Sequence, residues 1–229
     1  MMKAAARLVS IAFFLAPLTL PITAHTALAA DLDEAMSYDG LKKISVPGID
    51  LAYALPGATL AGYGKVQLEP IDVSFHKDWT AKAPGSPFEI STKERENITT
   101  KVAKLVDAEF VKALQAKGGY QVVRTAGPDV LRVKILIANL YINAPDIKTA
   151  GRSRTFAVTG GEMTLIAELS DSETGAVIAR VVDRSQARNT GRMELSSSAK
   201  NAADAEIIAS KWAGILRDAL DKARSIGTG

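Results

Sequence analysis

Two stretches of this 229-residue chain carry the residues best suited to grip an anion: Lys148, Arg152 and Arg154 in one, Arg188 and Arg192 in the other. Only Asp146 and Glu194 oppose them. Arginine presents a planar, multi-donor head, so if the fold joins the two stretches they form a positive surface for a polyanion or an acidic protein. Residues for reaction chemistry are scarcer. The two histidines are His25 and His76 and cysteine is absent, which excludes zinc or copper shells built from Cys and His. His76 runs into Lys77, Asp78 and Trp79, and no G-x-S-x-G elbow occurs. Paired carboxylates are the remaining route, with Asp171 and Asp183 the nearest pair for glycoside chemistry. Yet an aspartate that opens a turn is occupied by backbone amides, and Asp183 beside Arg184 reads as an ion-pair or turn residue. Gly118-Gly119 and Gly160-Gly161 fall in no phosphate-cradling frame. The residues therefore predict no catalytic group, no metal and no cofactor.

The net charge of +3 is mostly a property of the N-terminus. Lys3 and Arg7 precede an apolar run from Leu8 to Ile22, and Ala27-Leu28-Ala29 places small residues where a signal peptidase reads. Pro17 and Pro21 interrupt the run, which falls short of the ~20 residues that span a bilayer. Residues 1–29 are thus expected to be a cleaved signal peptide. The rest holds 26 basic against 25 acidic residues, with no surplus of the kind that nucleic-acid binding needs. The expected product is a soluble periplasmic protein without a transmembrane anchor and without a cysteine for lipidation.

The elements that must position these residues can be read from periodicity. Residues 30–63, with Pro47-Gly48 and Pro56-Gly57, read as an irregular arm. From Lys65 a strand pattern begins; Val66 and Leu68 share one parity and Ile71, Val73 and Phe75 the other, so a β-bulge is expected at Glu69-Pro70. Proline lacks the amide donor, which places this stretch at a sheet edge. Ser91 and Glu94 have capping-box spacing. Ile98, Val102, Leu105, Val106, Val111 and Leu114 follow at helical intervals until Gly118-Gly119. Strands are expected over 120–124, 130–142, 162–170 and 176–184, and a last helix carries Ile208, Trp212, Ile215, Leu216, Ala219 and Ala223 as one stripe. A three-residue loop, Glu173-Thr174-Gly175 with Gly175 left-handed, is expected to pair Ser172 with Ala176, Glu168 with Arg180 and Ile166 with Val182; a four-residue loop would shift the parity and bury Arg180.

These elements predict an α+β fold: one domain over 64–224, with a five-stranded, mainly antiparallel sheet and two helices packed on one face, followed by a flexible tail at 225–229. In a meander the loops after Ile142 and Arg184 emerge at the same end, which would bring the five basic residues together.

Tyr53-Ala54-Leu55-Pro56-Gly57, Tyr63 through Pro70, Gly127 through Arg132, Leu169 through Gly175 and Trp212-Ala213 together resemble the bacterial envelope family catalogued as domain of unknown function 3313. The resemblance runs from about Tyr38 to Leu220 and implies an envelope protein; many members are lipoproteins, whereas this chain lacks the lipidated cysteine. No activity comes with it. The resulting expectation is a non-enzymatic periplasmic domain that binds an envelope protein or a polyanionic envelope molecule. A carboxylate hydrolase of glycan or cell wall and a carrier holding a small apolar ligand between sheet and helices stay open as alternatives. Because Ala27 and Ala29 occupy the small-residue positions before the cleaved bond, the exported protein should begin at Ala30, and intact-mass measurement on periplasmic material checks this; a retained segment or a lipid adduct would contradict it.

Overall fold

Ser91 and Glu94 cap each other: the serine Oγ accepts from the Glu94 amide at 3.3 Å while Glu94 Oε2 accepts from the Ser91 amide at 3.0 Å. From this start helix α1 runs over Thr92–Gln115. The structure, a computed structural model, describes residues 34–79, 89–142, 155–157, 161–187, 194–196 and 198–227. Met36–Gly229 is one compact unit, separate from Met1–Ala35.

The face that α1 buries is set by Val106, Phe110 and Leu114, four residues apart. Phe110 is in the core where the periodicity had placed Val111, which is only half-buried. Helix α2 spans Ser198–Gly227 and buries Ile208, Ala209, Trp212, Ala213 and Leu220. The two helices lie side by side and run in the same sense. At their C-terminal ends Arg217 of α2 donates from Nη1 to the carbonyls of Ala113, Leu114 and Ala116 at 3.2, 2.8 and 2.9 Å. The Leu114 carbonyl also accepts from the Tyr120 amide at 2.8 Å and that of Ala116 from the Gly119 amide at 3.1 Å, and a cation there complements the helix dipole.

The sheet differs from the five-stranded expectation: it has eight strands and is mixed. The strands are β1 (Lys42–Ile44), β2 (Leu51–Ala54), β3 (Lys65–Leu68), β4 (Asp72–Phe75), β5 (Gln121–Val123), β6 (Val130–Tyr141), β8 (Glu162–Asp171) and β9 (Val177–Gln186). Their order is β1-β2-β9-β8-β6-β3-β5, with β4 also on β6. A separate antiparallel pair joins β7 (Thr155–Ala157) to β10 (Glu194–Ser196). Two physical causes account for the difference. The arm, expected to be irregular, contributes β1 and β2 by hydrogen-bonding to the free edge of β9. In addition, α1 is long enough to carry the chain back to its starting end, so β5 and then β6 enter parallel to β3.

Two bulges tune the sheet. Leu68 pairs with Val133 and Asp72 with Leu136, so three residues around Pro70 oppose two on β6. This is the bulge expected at Glu69-Pro70, and β5 ends before it, leaving β4 as the edge. The second bulge, in β6, was not foreseen. Asn139 has φ +53°, and both neighbouring strands shift register there. Of ordinary residues, asparagine best tolerates that left-handed backbone.

The register gives the two sheet faces different chemistry. Ile135, Ala167, Val181 and Ala52 form one row facing the helices, and Val133, Leu169, Ala179 and Ala54 the next. The opposite face carries the row Lys134, Glu168, Arg180 and Tyr53. As expected, Glu168 pairs with Arg180, at 2.8 Å, and Ile166 with Val182. Gly175 has φ +73°. The turn itself is one residue longer than expected, since the Asp171 amide donates to the Ala176 carbonyl at 2.9 Å; a bulge at Ile178 absorbs the extra residue and restores the register. Ile178 rather than Val177 thereby reaches the core.

Gly119 lies so close beneath Arg217 that an added Cβ would overlap the guanidinium and the Leu114 carbonyl oxygen, while nothing lies within 4 Å of a Cβ on Gly214 in α2. Gly119→Ala should therefore destabilise by about 1–3 kcal/mol, and Gly214→Ala should stabilise by about 0.5–1 kcal/mol through helix propensity. Urea denaturation of the two variants reads the opposite signs.

Candidate functional site

Asp171 closes the β8–β9 turn. Its Oδ1 accepts from the Thr174 amide at 2.8 Å, the Glu173 amide at 3.1 Å and the Thr174 hydroxyl at 2.8 Å, and its Oδ2 accepts from the Tyr63 hydroxyl at 3.1 Å. These donors, led by the Thr174 amide, hold the carboxyl below its ordinary value. On the other side of the bond, burial first, then the Asp171 hydrogen bond and charge, push the Tyr63 phenol up to about 12.

Asp183 is inside β9 rather than at a turn, in a helix-facing row with Leu165 and Ile137, and is 2% exposed. Its Oδ2 accepts from Trp212 Nε1 at 2.6 Å, from Lys211 Nζ at 3.1 Å and from Ser185 Oγ at 3.2 Å; its Oδ1 accepts from the Asp50 amide at 3.2 Å. Asp50 in turn accepts from the Arg184 amide at 2.9 Å. Leu165 opposite Asp183 is six residues from Asp171 along β8, about 20 Å at ~3.3 Å per residue. Glycosidase carboxylates stand about 5–9.5 Å apart, so these two do not form such a pair.

His76 turns its Nδ1 to the Asp78 amide at 3.1 Å and its ring edge to Tyr141. Trp79 is buried, stacked on Phe75 with ring centroids 4.1 Å apart, and its Nε1 donates to the Ile142 carbonyl at 3.0 Å. Lys148, Arg152, Arg154, Arg188 and Arg192 lie outside the described residues. The short strands β7 and β10, which follow the two basic stretches, pair with each other.

What residue-type reasoning missed are two clefts between the helices and the sheet. The arm-side cleft has a volume of about 250 Å³. Its floor includes Ala52, Ala54, Ala167 and Ala179, alanines on the helix-facing side of three adjacent strands. Its roof is Trp212, Ile215, Leu216 and Ala219 of α2, and the arm closes the side with Ile44, Val46, Ile49, Leu55 and Leu60. Four methyl side chains under a helix of full-sized residues leave a hollow. The helix-end cleft, about 160 Å³, lies between the first halves of α1 and α2 and the end of the sheet. Ile98, Val102, Leu105, Leu140, Met163 and Ile208 line its interior, with Lys101 and Asp204 among the polar residues of its wall.

Two expectations follow from the carboxylates. Asp183→Leu strips an acceptor from the buried Trp212 indole and the Asp50 amide and should cost about 2–4 kcal/mol in urea denaturation, while isosteric Asp183→Asn should cost less. Tyr63 is protonated more firmly when folded, so its contribution to stability is whole below pH 10 and is lost as pH rises toward 12. Ultraviolet titration should show high-pH phenolate absorbance that Tyr63→Phe reduces by one tyrosine and Asp171→Asn moves in part to lower pH, while buried Tyr120, also raised, supplies the rest.

No curated protein matches the chain in sequence. Among solved structures it is similar to protein XCC0632 from Xanthomonas campestris, of family DUF330, at 14% identity and a TM-score of 0.41, covering 72% of this chain and 90% of that one. It is also similar to a PelC dodecamer from Paraburkholderia phytofirmans, at 12% identity and a TM-score of 0.36, covering 77% and 95%. The family model described as protein of unknown function DUF3313 matches residues 31–216. That match spans every strand, α1 and α2 as far as Leu216, with most of both cleft walls, and the chain belongs to the DUF3313 family.

Proposed function

We propose that this protein is an exported envelope domain that works by binding rather than by catalysis, and that it holds a small apolar ligand in the arm-side cleft. The observation that carries this reading is the cleft's wall: strands, helix and arm all turn aliphatic or aromatic side chains to a space of about 250 Å³. A cavity of ~150 Å³ with such walls stays dry and takes up benzene, so an apolar guest gains dispersion contacts that no water supplies. Export rests on the signal-like segment at 1–29, and the five basic residues near β7 and β10 supply the contact with an anionic envelope partner.

The carboxylates support binding over hydrolysis, since Asp171 and Asp183 are occupied by structural donors. Among the described residues no helix is long and apolar enough to cross a membrane.

The neutral fluorophore N-phenyl-1-naphthylamine tests the reading directly. The protein should bind it with enhanced, saturable fluorescence, and the double variant Ala167→Leu, Ala179→Leu should bind at least tenfold more weakly while its stability holds or rises by up to about 2 kcal/mol as the hollow is filled. Unchanged binding in a folded double variant would place the ligand elsewhere.

A further inference from the structure

The helix-end cleft differs from its neighbour in one respect. Asp204 belongs to its wall, and Asp204 Oδ2 is shut off from solvent without accepting a hydrogen bond. Lys200 Nζ stands 3.9 Å away, within ion-pair distance but beyond hydrogen-bond reach. Two other carboxylates line the cleft and both are occupied: Glu94 accepts from Ser91, and Glu162 accepts from Arg184 at 2.7 Å and Gln186 at 2.8 Å. Lys101 is the one basic residue in the wall among the described residues. A buried acceptor left unpaired is costly, and a carboxylate oxygen pairs best with a charged donor.

We propose that the helix-end cleft is a second binding site, for an amphiphile with an aliphatic body and a protonated amine that donates to Asp204 Oδ2. The body lies among Ile98, Val102, Leu105 and Ile208. At about 160 Å³ the space suits a six-carbon chain, by comparison with a ~150 Å³ cavity that accepts benzene. The site does not depend on the arm-side cleft, because the small residues that hollow out that cleft, Ala52, Ala54, Ala167 and Ala179, are absent from its wall.

n-Hexylamine, protonated at pH 7, and hexanoate are matched probes of opposite charge. Titrated into the full chain and followed by amide chemical shifts, hexylammonium should bind at least tenfold more tightly than hexanoate and shift Leu105 and Ile208 rather than Leu169 and Ala179. Asp204→Asn should remove the tenfold preference. Ala205→Leu, which fills the cleft, should weaken both probes; if it fails to fold, the shift map of the unsubstituted chain still locates the site. Equal affinity for the two probes, a preference that survives Asp204→Asn, or shifts confined to the arm-side cleft would each overturn the proposal. The Ala167→Leu, Ala179→Leu variant separates the two readings: it should leave hexylammonium binding unchanged.

Discussion

The carboxylate of Asp183 is the point at which otherwise separate parts of the molecule are fastened together. It sits on the helix-facing side of β9, accepts from the indole of α2 and the amide that leads into β2, and is reinforced by Lys211 and Ser185. Helix, sheet and arm each contribute a donor, and the arm's, the Asp50 amide, lies 133 positions from Asp183 in the chain. A buried charge with several donors is satisfied in one arrangement and costly in any other, so the polar cluster selects the position of α2 over the sheet where the surrounding alanines would allow it to slide. The roof of the arm-side cleft, Trp212 included, is held by the same carboxylate that anchors the arm forming its side.

The outer face has a counterpart in Arg180. It donates to Glu168 at 2.8 Å, to Asp39 at 2.6 Å and to the Tyr38 carbonyl at 3.0 Å, pinning the segment before β1 across the sheet. Met36, Leu41 and Tyr53 close a small apolar cluster there. The arm is thus held by a charged residue on each face of β9, Asp183 inside and Arg180 outside. That alternation is available because successive residues of a strand point to opposite faces.

How legible was this in the residues? Strong local signals read well: the Ser91–Glu94 box, the bulge at Pro70, and the α2 stripe in part, since Ile208 and Trp212 are buried but Ala219 is exposed and Leu220 lies in the core instead; the register that pairs Glu168 with Arg180 also holds, by way of the bulge at Ile178. The box, the bulge and the stripe depend on side chains within a few positions of each other, and the register on burial parity across one hairpin. The arm strands were opaque because β1 is three exposed residues and β2 is Leu-Ala-Tyr-Ala, whose alternation is weak until β9 is known to lie beside it. Parallel entry of β5 and β6 is a consequence of where α1 delivers the chain, which no strand pattern encodes. The clefts were the least legible. A cavity is made by atoms that are missing, and the alanines on β2, β8 and β9 become a hollow only once register places them in adjoining rows.

The bulge at Asn139 shows how such a scaffold can change what it binds. Along β6, Leu131, Val133, Ile135 and Ile137 face the helices, and strict alternation would give Asn139 and Tyr141 the same face. The extra residue instead turns Leu140 inward, 4% exposed, and leaves Tyr141 outward at 38%. Replacing Asn139 by a residue that does not accept φ +53° would favour strict alternation and exchange the two, turning Leu140 outward and the Tyr141 ring inward, while pairing over 130–138 stayed as it is. Ligand preference at the helix-end cleft, which Leu140 and Tyr141 both border, can therefore change through one backbone conformation as readily as through the residues that line it.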